Sequence, residues 1–495
     1  MRIAVVGAGV AGLCTAKVLA AAGHDVVVID RTPDVGGVWS ATRRYPGLCT
    51  QSAKDTYAFS DHPMPAEFPE WPDGEQVQAY LASYAERFGV DRLLRLGTEV
   101  VRAEQLDAGW RLTTRPVDGS AEVTETVDHL VVANGVFSEP ALPDFAGLED
   151  FTTAGGRVAS SSGFADAGSL DGAHVVVVGY GKSACDVAVA VADAAASTDV
   201  IARQLLWKVP RHIGGVLNFK HLLLTRMGEA LFRYIRLQGF EKVIHGPGRR
   251  VRARMMASVG AIATRQDRLR ELDLVPRGRF EDIVRGAIGL TTEGFFERVR
   301  SGVIRVRRDR VVVRLLEKEG VPHVELDDGT VLRADLLLCA TGFRQGVAFL
   351  DPELHARLLD EHGNYRLYRQ IHPVDVENLS FAGYNSSFFS PLNAEMAAVW
   401  IAARLAGRLA LPEKEAMRAH VDAQLAFMDD ATDGHHCRGT KIIPFSLHNV
   451  DEVLGDLDLQ IPARVRAAQW LNPVDPGAYR DVTPRLLARL GTAPV

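Results

Sequence analysis

The chain has 495 residues, 47% of them apolar and 24% charged, and a net charge of −6. At roughly 150 residues per domain this predicts two or three globular domains, and the mild acidity gives no case for a nucleic-acid partner. No uninterrupted run of about 18 apolar residues occurs, so no membrane span is expected. The five cysteines (Cys14, Cys49, Cys185, Cys339, Cys437) are odd in number and lack CxxC spacing. They read as reduced thiols, with the cytoplasm as the expected location.

The opening stretch MRIAVVGAGVAGLCTAKVLAAAG resembles a signal peptide only superficially. Its interior glycines, and Asp30 closing a second apolar run, point to a folded βαβ unit. Arg2 to Val6 has a buried-strand pattern, Ala11 to Ala22 helical apolar spacing, and Asp25 to Ile29 a second β-branched run. The same plan recurs in Val175 to Val178, Ser183 to Ala195 and Val200 to Ala202. Between the two units, HLVVANG (His129 to Gly135) reads as a strand with a small-residue turn, and ADLLLCATG (Ala334 to Gly342) repeats that ending. The expected architecture is α/β, with two Rossmann-like dinucleotide-binding domains, the second inserted into the first. In numbers, 1–165 and 331–450 form the first domain, its chain resuming near Val331. Residues 166–330 form the second, with a helical insertion at about 205–300, and 451–495 form a C-terminal helical cap. Within the insertion, Phe219 to Phe240 has helical spacing. Lys242 to Arg279 is locally basic, as solvated helix faces are.

The glycine loops carry the first chemistry. In GAGVAG, Gly7 permits the tight turn, Gly9 lets a pyrophosphate approach the backbone, and Gly12 lets the helix sit close to the strand. The helix N-terminus offers N–H groups and partial positive charge to phosphates, and Asp30 can accept hydrogen bonds from a ribose. In GYGKSACD, Gly179 and Gly181 are present, and Ala184 takes the third position. The strand that follows ends in Arg203, with no acid. An acid repels a 2′-phosphate and Arg pairs with it, so this second site favours NADPH over NADH. Two dinucleotide sites imply hydride transfer from a nicotinamide to a flavin. Without a CxxC pair, the electrons are expected to go on to oxygen or an external acceptor.

GAGVAG, Asp30, GGVW (Gly36 to Trp39), GYGKSACD and CATGF (Cys339 to Phe343) occur in the order seen in class B flavoprotein monooxygenases. That class holds the flavin-containing monooxygenases and the Baeyer–Villiger monooxygenases, and the resemblance covers most of residues 1–410. LYRQIHPVDVENLSFAGYNSSFFSPLNAEMAAVWIAARL resembles its last flavin-domain strand and following helix. The resemblance implies FAD at the first site, NADPH at the second, and O2 and a small organic molecule as substrates. It places FAD against Gly7, Gly9, Ala11, Gly12, Asp30, Gly37, Val38, Trp39, Thr50, Gln51, Ala133, Asn134, Gly135 and Gly342. It places NADPH against Gly179, Gly181, Lys182, Ser183 and Arg203. The linking fingerprint F-x-G-x-x-x-H-x-x-x-[F/W/Y] is matched by AGGRVASSSGF, with Ala154 for the first aromatic and Ser160 for the His.

The resemblance also implies a C4a-(hydro)peroxide on the flavin. Protonated, it transfers oxygen to nitrogen or sulfur; ionised, and aided by a nearby cation, it inserts oxygen beside a carbonyl. Thr50 and Gln51 are the expected catalytic residues. Aligned through RYPG, Gln51 meets the Asp that partners an Arg in Baeyer–Villiger enzymes. Aligned through LCTQSAK, it meets the Asn of T-N-x-P-K, with Ala53 for Pro and Lys54 in place. A neutral amide cannot hold an Arg by charge, which favours oxygenation at nitrogen or sulfur. A Baeyer–Villiger reaction using an Arg from the middle region, and an NADPH oxidase or electron-transfer flavoprotein, stay open as alternatives. So does a homodimer. No metal site is expected, since His435-His436-Cys437 lacks a third spaced ligand. Cys14, Cys185 and Trp400 read as packing residues.

Overall fold

In the computed structural model, which describes residues 1–164, 170–285, 289–385, 387–434 and 446–492, the β-branched runs form two parallel sheets. The first has the order Leu379–Phe381, His129–Val132, Arg2–Val6, Asp25–Ile29 and Leu94–Arg95, all neighbours parallel. The second has the order Ile304–Arg308, Ser197–Ala202, His174–Val178, Leu336–Cys339 and Arg157–Ser160, again parallel throughout. Strands covered on both faces need unbroken apolar runs, which is why Ala4, Val5, Val28, Val131, Val177 and Leu338 are fully buried. The molecule is thus mixed α/β, built on parallel-strand sheets.

Each sheet carries the same accessory. A three-stranded antiparallel meander (Thr98–Leu106, Gly109–Pro116, Val123–Val127) precedes His129–Val132, and a second (Val312–Lys318, Val321–Leu326, Val331–Arg333) precedes Leu336–Cys339. This repetition corrects the expected return point. Val331 lies in the second meander, and Leu336–Cys339 pairs with His174–Val178 in the second sheet. The first sheet regains a strand only at Leu379–Phe381. ADLLLCATG is therefore the second unit's counterpart of HLVVANG. The sequence shows the likeness of the two endings; only strand pairing shows to which sheet each belongs.

Helix Val10–Ala21 packs against helix Ser390–Leu405, whose other neighbours are Ser446–Asp456 and Val482–Leu490. Enclosed on several sides, Ser390–Leu405 is apolar around most of its circumference and buried from Pro391 to Ala403. Trp400 lies in that core and donates to Asp456 at 3.1 Å, and Cys14 and Cys185 are fully buried on the helices after the glycine loops. The insertion departs from expectation at Phe219 to Phe240. It holds only two short helices, Lys220–Leu223 and Arg226–Ala230. Thr225 Oγ1 accepts from the Gly228 N–H and starts the second helix afresh. Gly228 sits so close to the first that a Cβ would lie 2.4 Å from the Leu222 carbonyl oxygen. The long helix of this region is Arg249–Gln266. The C-terminal helices are bound to the insertion by Arg226, which grips Asp451 at 2.6 and 2.9 Å. Among the described residues no helix is long and apolar enough to cross a membrane.

Candidate active site

A cavity of about 310 Å³ opens at the carboxyl end of the first sheet, where open α/β sheets bind ligands. Gly7 has φ +119°, and its N–H donates to the Ile29 carbonyl at 2.8 Å. A Cβ on Gly7 would lie 2.3 Å from the Ala133 carbonyl oxygen, and one on Gly12 would lie 1.8 Å from the Gly7 oxygen. Both glycines are thus demanded by the backbone itself. Gly9 differs: its conformation is ordinary and its methyl position meets only Gly37 Cα, at 3.4 Å. Gly9 and Gly37 face each other across a cradle that side chains would fill. The Asp30 carboxylate accepts from the Ala8 N–H at 2.7 Å and the Thr32 N–H at 2.8 Å, which holds the acid at the cavity wall.

The second glycine loop repeats this geometry. The Gly179 N–H donates to the Ile201 carbonyl at 3.0 Å, and a Cβ on Gly179 would lie 2.5 Å from the Ala340 carbonyl oxygen. Ile201 thus matches Ile29, and Ala340 matches Ala133. By the same register Ala202 stands where the first unit has Asp30, followed by the exposed Arg203. Around Gly181, at the N-terminus of helix Lys182–Ala192, nothing lies within 4 Å of a Cβ position.

Of the residues singled out in the sequence, Gly7, Gly9, Ala11, Asp30, Gly37, Val38, Trp39, Thr50, Gln51, Ala133, Asn134 and Gly135 line the large cavity. Lys182 and Ser183 reach it from the second unit. Gly179, Gly181, Arg203, Gly12 and Gly342 do not line it. Gly342 follows Leu336–Cys339, its carbonyl accepts from the Ala141 N–H at 2.9 Å, and the next residue, Phe343, lines the cavity. Asn134 is held by the Gly346 carbonyl at 2.7 Å and by the Tyr384 hydroxyl, which donates to it at 2.8 Å. The motif His435-His436-Cys437 lies outside the described residues.

The loop RRYPGLCTQSAK crosses from one unit to the other. The Thr50 N–H donates to the Pro72 carbonyl at 2.9 Å, while its Oγ1 is buried and has no partner among the described residues. Gln51 Oε1 accepts from the backbone N–H of Leu290, in the insertion, at 3.2 Å. Lys54, the lysine matched to T-N-x-P-K, donates to the carbonyls of Pro65, Ala66 and Phe68 and fixes the loop.

Tyr45 and Cys49 also line the cavity. The Tyr45 hydroxyl donates to Ser183 Oγ at 3.1 Å and approaches Asp186 at 3.3 Å. Burial, reinforced by the Asp186 charge, holds that phenol well above its ordinary pKa. Asp186 is itself buried and accepts from Lys182 and Thr292, both at 2.6 Å. The Lys182 ammonium, expected to face the second cofactor, is thus turned inward, 3.6 Å from Cys49 Sγ. The Arg211 guanidinium lies 3.0 Å from the same sulfur and pairs with Glu293 at 3.1 Å.

Sequence reasoning missed Arg43, Tyr57, Phe137, Ser162, Phe343 and Phe388 in the lining. Ser162, Phe343 and Phe388 belong to stretches already notable in the sequence; Arg43, Tyr57 and Phe137 carry no local signal. In the fingerprint stretch, Ser160 Oγ accepts from the Gly163 N–H at 3.0 Å and caps a short turn after the edge strand. Gly156 is required there, because a Cβ would lie 2.4 Å from the Phe151 ring.

The geometry agrees with comparison to known proteins. Residues 1–254 match the flavin-binding monooxygenase-like family model. The chain belongs to that family. It is a flavin monooxygenase, an oxidoreductase. A probable flavin-containing monooxygenase 1 of Arabidopsis thaliana is 26% identical, over 92% of each chain. An N-oxide-forming dimethylaniline monooxygenase 2 of Oryctolagus cuniculus is 25% identical, over 85% of this chain and 76% of the relative. Among solved structures, NADP+-bound cyclohexanone monooxygenase from Rhodococcus sp. Phi1 shares the fold. Its TM-score is 0.65 at 19% identity, covering 99% of this chain and 97% of that one.

Proposed function

We propose that the enzyme transfers one oxygen atom of O2 to a nitrogen or sulfur centre of a small organic molecule. NADPH supplies two electrons, and the second oxygen atom leaves as water. The two parallel-sheet units act as two dinucleotide-binding domains, the second nested in the first. Gly7, Gly9, Asp30 and Gly37 hold FAD, with Thr50 and Gln51 at its reactive edge. The buried, unpartnered Thr50 Oγ1 and the side-chain-free cradle between Gly9 and Gly37 suit such a ligand. Gly179, Gly181, Ser183 and Arg203 hold NADPH, and the register that gives Ala202 the acid's place favours the phosphorylated cofactor. FAD, when bound and reduced, supplies the activation of O2. The chain's own residues bind, orient and exclude water.

One observation carries the choice of branch. The Gln51 carbonyl accepts from the Leu290 N–H, and among the described residues the side chain holds no arginine. Arg211, the nearby cation from the middle region, is engaged by Cys49 and Glu293. A Baeyer–Villiger reaction benefits from a cation fixed beside the reacting oxygen, and Gln51 does not provide the anchor for one. The test is product analysis with isotopically labelled O2 across amines, sulfides and ketones. One labelled atom in an N-oxide or sulfoxide is expected. A labelled ester would replace this reading with Baeyer–Villiger oxidation. Hydrogen peroxide stoichiometric with NADPH, for every substrate offered, would replace it with an oxidase.

A further inference from the structure

A second cavity, of about 50 Å³, lies behind the first. Phe219, Leu223, Leu224, Phe280, Leu290 and Phe389 form much of its wall. Phe388 lines both cavities. The two linings also meet through the hydrogen bond from the Leu290 N–H to Gln51, since Leu290 lines the small chamber and Gln51 the large one. Ser52 Oγ donates to the Phe388 carbonyl at 2.7 Å, which ties Phe388 to the same loop. The chamber is therefore set directly behind the residue proposed to stand at the flavin edge.

Among the described residues its one acidic lining residue, Glu229, is already hydrogen-bonded. The Glu229 carboxylate accepts from the backbone N–H groups of Leu447 and His448, at 2.9 and 3.0 Å, and from His448 Nδ1 at 2.6 Å. The other ring nitrogen of His448 meets Glu241 at 2.7 Å. Burial alone lowers His448, but hydrogen bonds to the two carboxylates outweigh it and raise its pKa to about 10. Glu229 thus has its oxygens taken up by these donors, and the rest of the wall is apolar side chains and glycine. Size sets the second limit. An apolar protein cavity that takes up benzene measures about 150 Å³, three times this volume.

Resting on the oxygenation proposed above, we propose that the chamber takes a short, uncharged alkyl arm of the substrate, making small dialkyl sulfides preferred over aryl sulfides. The sulfur lies beside Phe388, toward Gln51, and the arm fills the chamber. Sulfoxide formation then balances as one sulfide, one O2, NADPH and a proton giving sulfoxide, water and NADP+.

The test separates binding from turnover. Oxidised, FAD-loaded enzyme without NADPH performs no oxygenation, so calorimetric titration with diethyl sulfide reads binding alone. Leu223 is only half-buried, so Leu223→Trp fills the chamber from its rim at little risk to the core. The variant is expected to weaken diethyl sulfide binding at least tenfold with unchanged FAD content. Phe219→Ala, which enlarges the chamber, is expected to admit methyl phenyl sulfide. Equal wild-type affinity for diethyl and methyl phenyl sulfides, or unaltered diethyl sulfide binding by Leu223→Trp, would overturn the chamber's role. Binding lost in that variant, but wild-type turnover yielding only peroxide, would uphold the chamber and discard the oxygenation it serves.

Discussion

Replacing Gly9 by Ala separates what the backbone requires from what a ligand requires. Gly9 caps helix Val10–Ala21 with φ −87° and ψ −168°, a conformation open to any residue. The added methyl would lie 3.4 Å from Gly37 Cα and 3.7 Å from Gly37 N, close but not colliding. The cost to the folded chain is that of a poorer N-cap, roughly 0.5–1 kcal/mol. The cost to FAD is larger, because the methyl occupies the cradle and holds the pyrophosphate off the helix N–H groups. Losing one charge-assisted hydrogen bond costs about 1.5–3 kcal/mol, equivalent to roughly tenfold to hundredfold in Kd. The assay is reconstitution of apoprotein followed by quenching of flavin fluorescence, with thermal unfolding of the apoprotein alongside. The expected result is a Kd raised at least tenfold and a Tm lowered by a few degrees at most. A Kd within twofold of wild type would refute the placement of the pyrophosphate at Gly9. Gly12→Ala is the contrast, since its methyl would stand 1.8 Å from the Gly7 oxygen and disturb the fold itself.

Two further outcomes are expected. Arg203→Ala should raise the KM for NADPH roughly tenfold, the worth of one charge-assisted bond, and leave that for NADH unchanged; equal effects on both cofactors would remove Arg203 from the 2′-phosphate. Glu395, fully buried on Ser390–Leu405, has its pKa raised to about 7, mainly by burial, with Lys17 lowering it and Asp61 raising it. Lys17 is already paired with Asp61, so an ionised Glu395 is a surplus charge. The folded state therefore binds more protons than the unfolded one between the ordinary glutamate value and about 7, and stability falls as pH rises through that window. Glu395→Gln should flatten the fall in Tm between pH 5 and 7.5, and an unchanged slope would refute the assignment.

Much of the first site is legible in the sequence because its physics is local. A glycine loop, the strand before it, the helix after it and an acid closing the next strand all lie within about 30 residues, and the folded chain brings them together as a βαβ unit must. Arg2–Val6 and Asp25–Ile29 take their expected limits for the same reason. Gly156 is legible as the glycine of the fingerprint, but the reason for it is not, since the Phe151 ring that packs against it is a tertiary contact.

What the sequence determined alone was therefore the family, the α/β plan, the pair of glycine loops and the missing acid of the second one. What only the tertiary structure decided depends on partners distant in the chain. The strand Leu336–Cys339 goes to the second sheet because its pairing partners are His174–Val178 and Arg157–Ser160, which no local pattern declares. Lys54 serves as a fastener because three carbonyls of residues 65–68 converge on it, and Lys182 turns inward because a buried Asp186 faces it. Gln51 is the sharpest case. Its side chain announces an amide near a cofactor loop. Its partner lies 239 residues away in an insertion with little readable periodicity, and that hydrogen bond is what joins the linings of the two cavities.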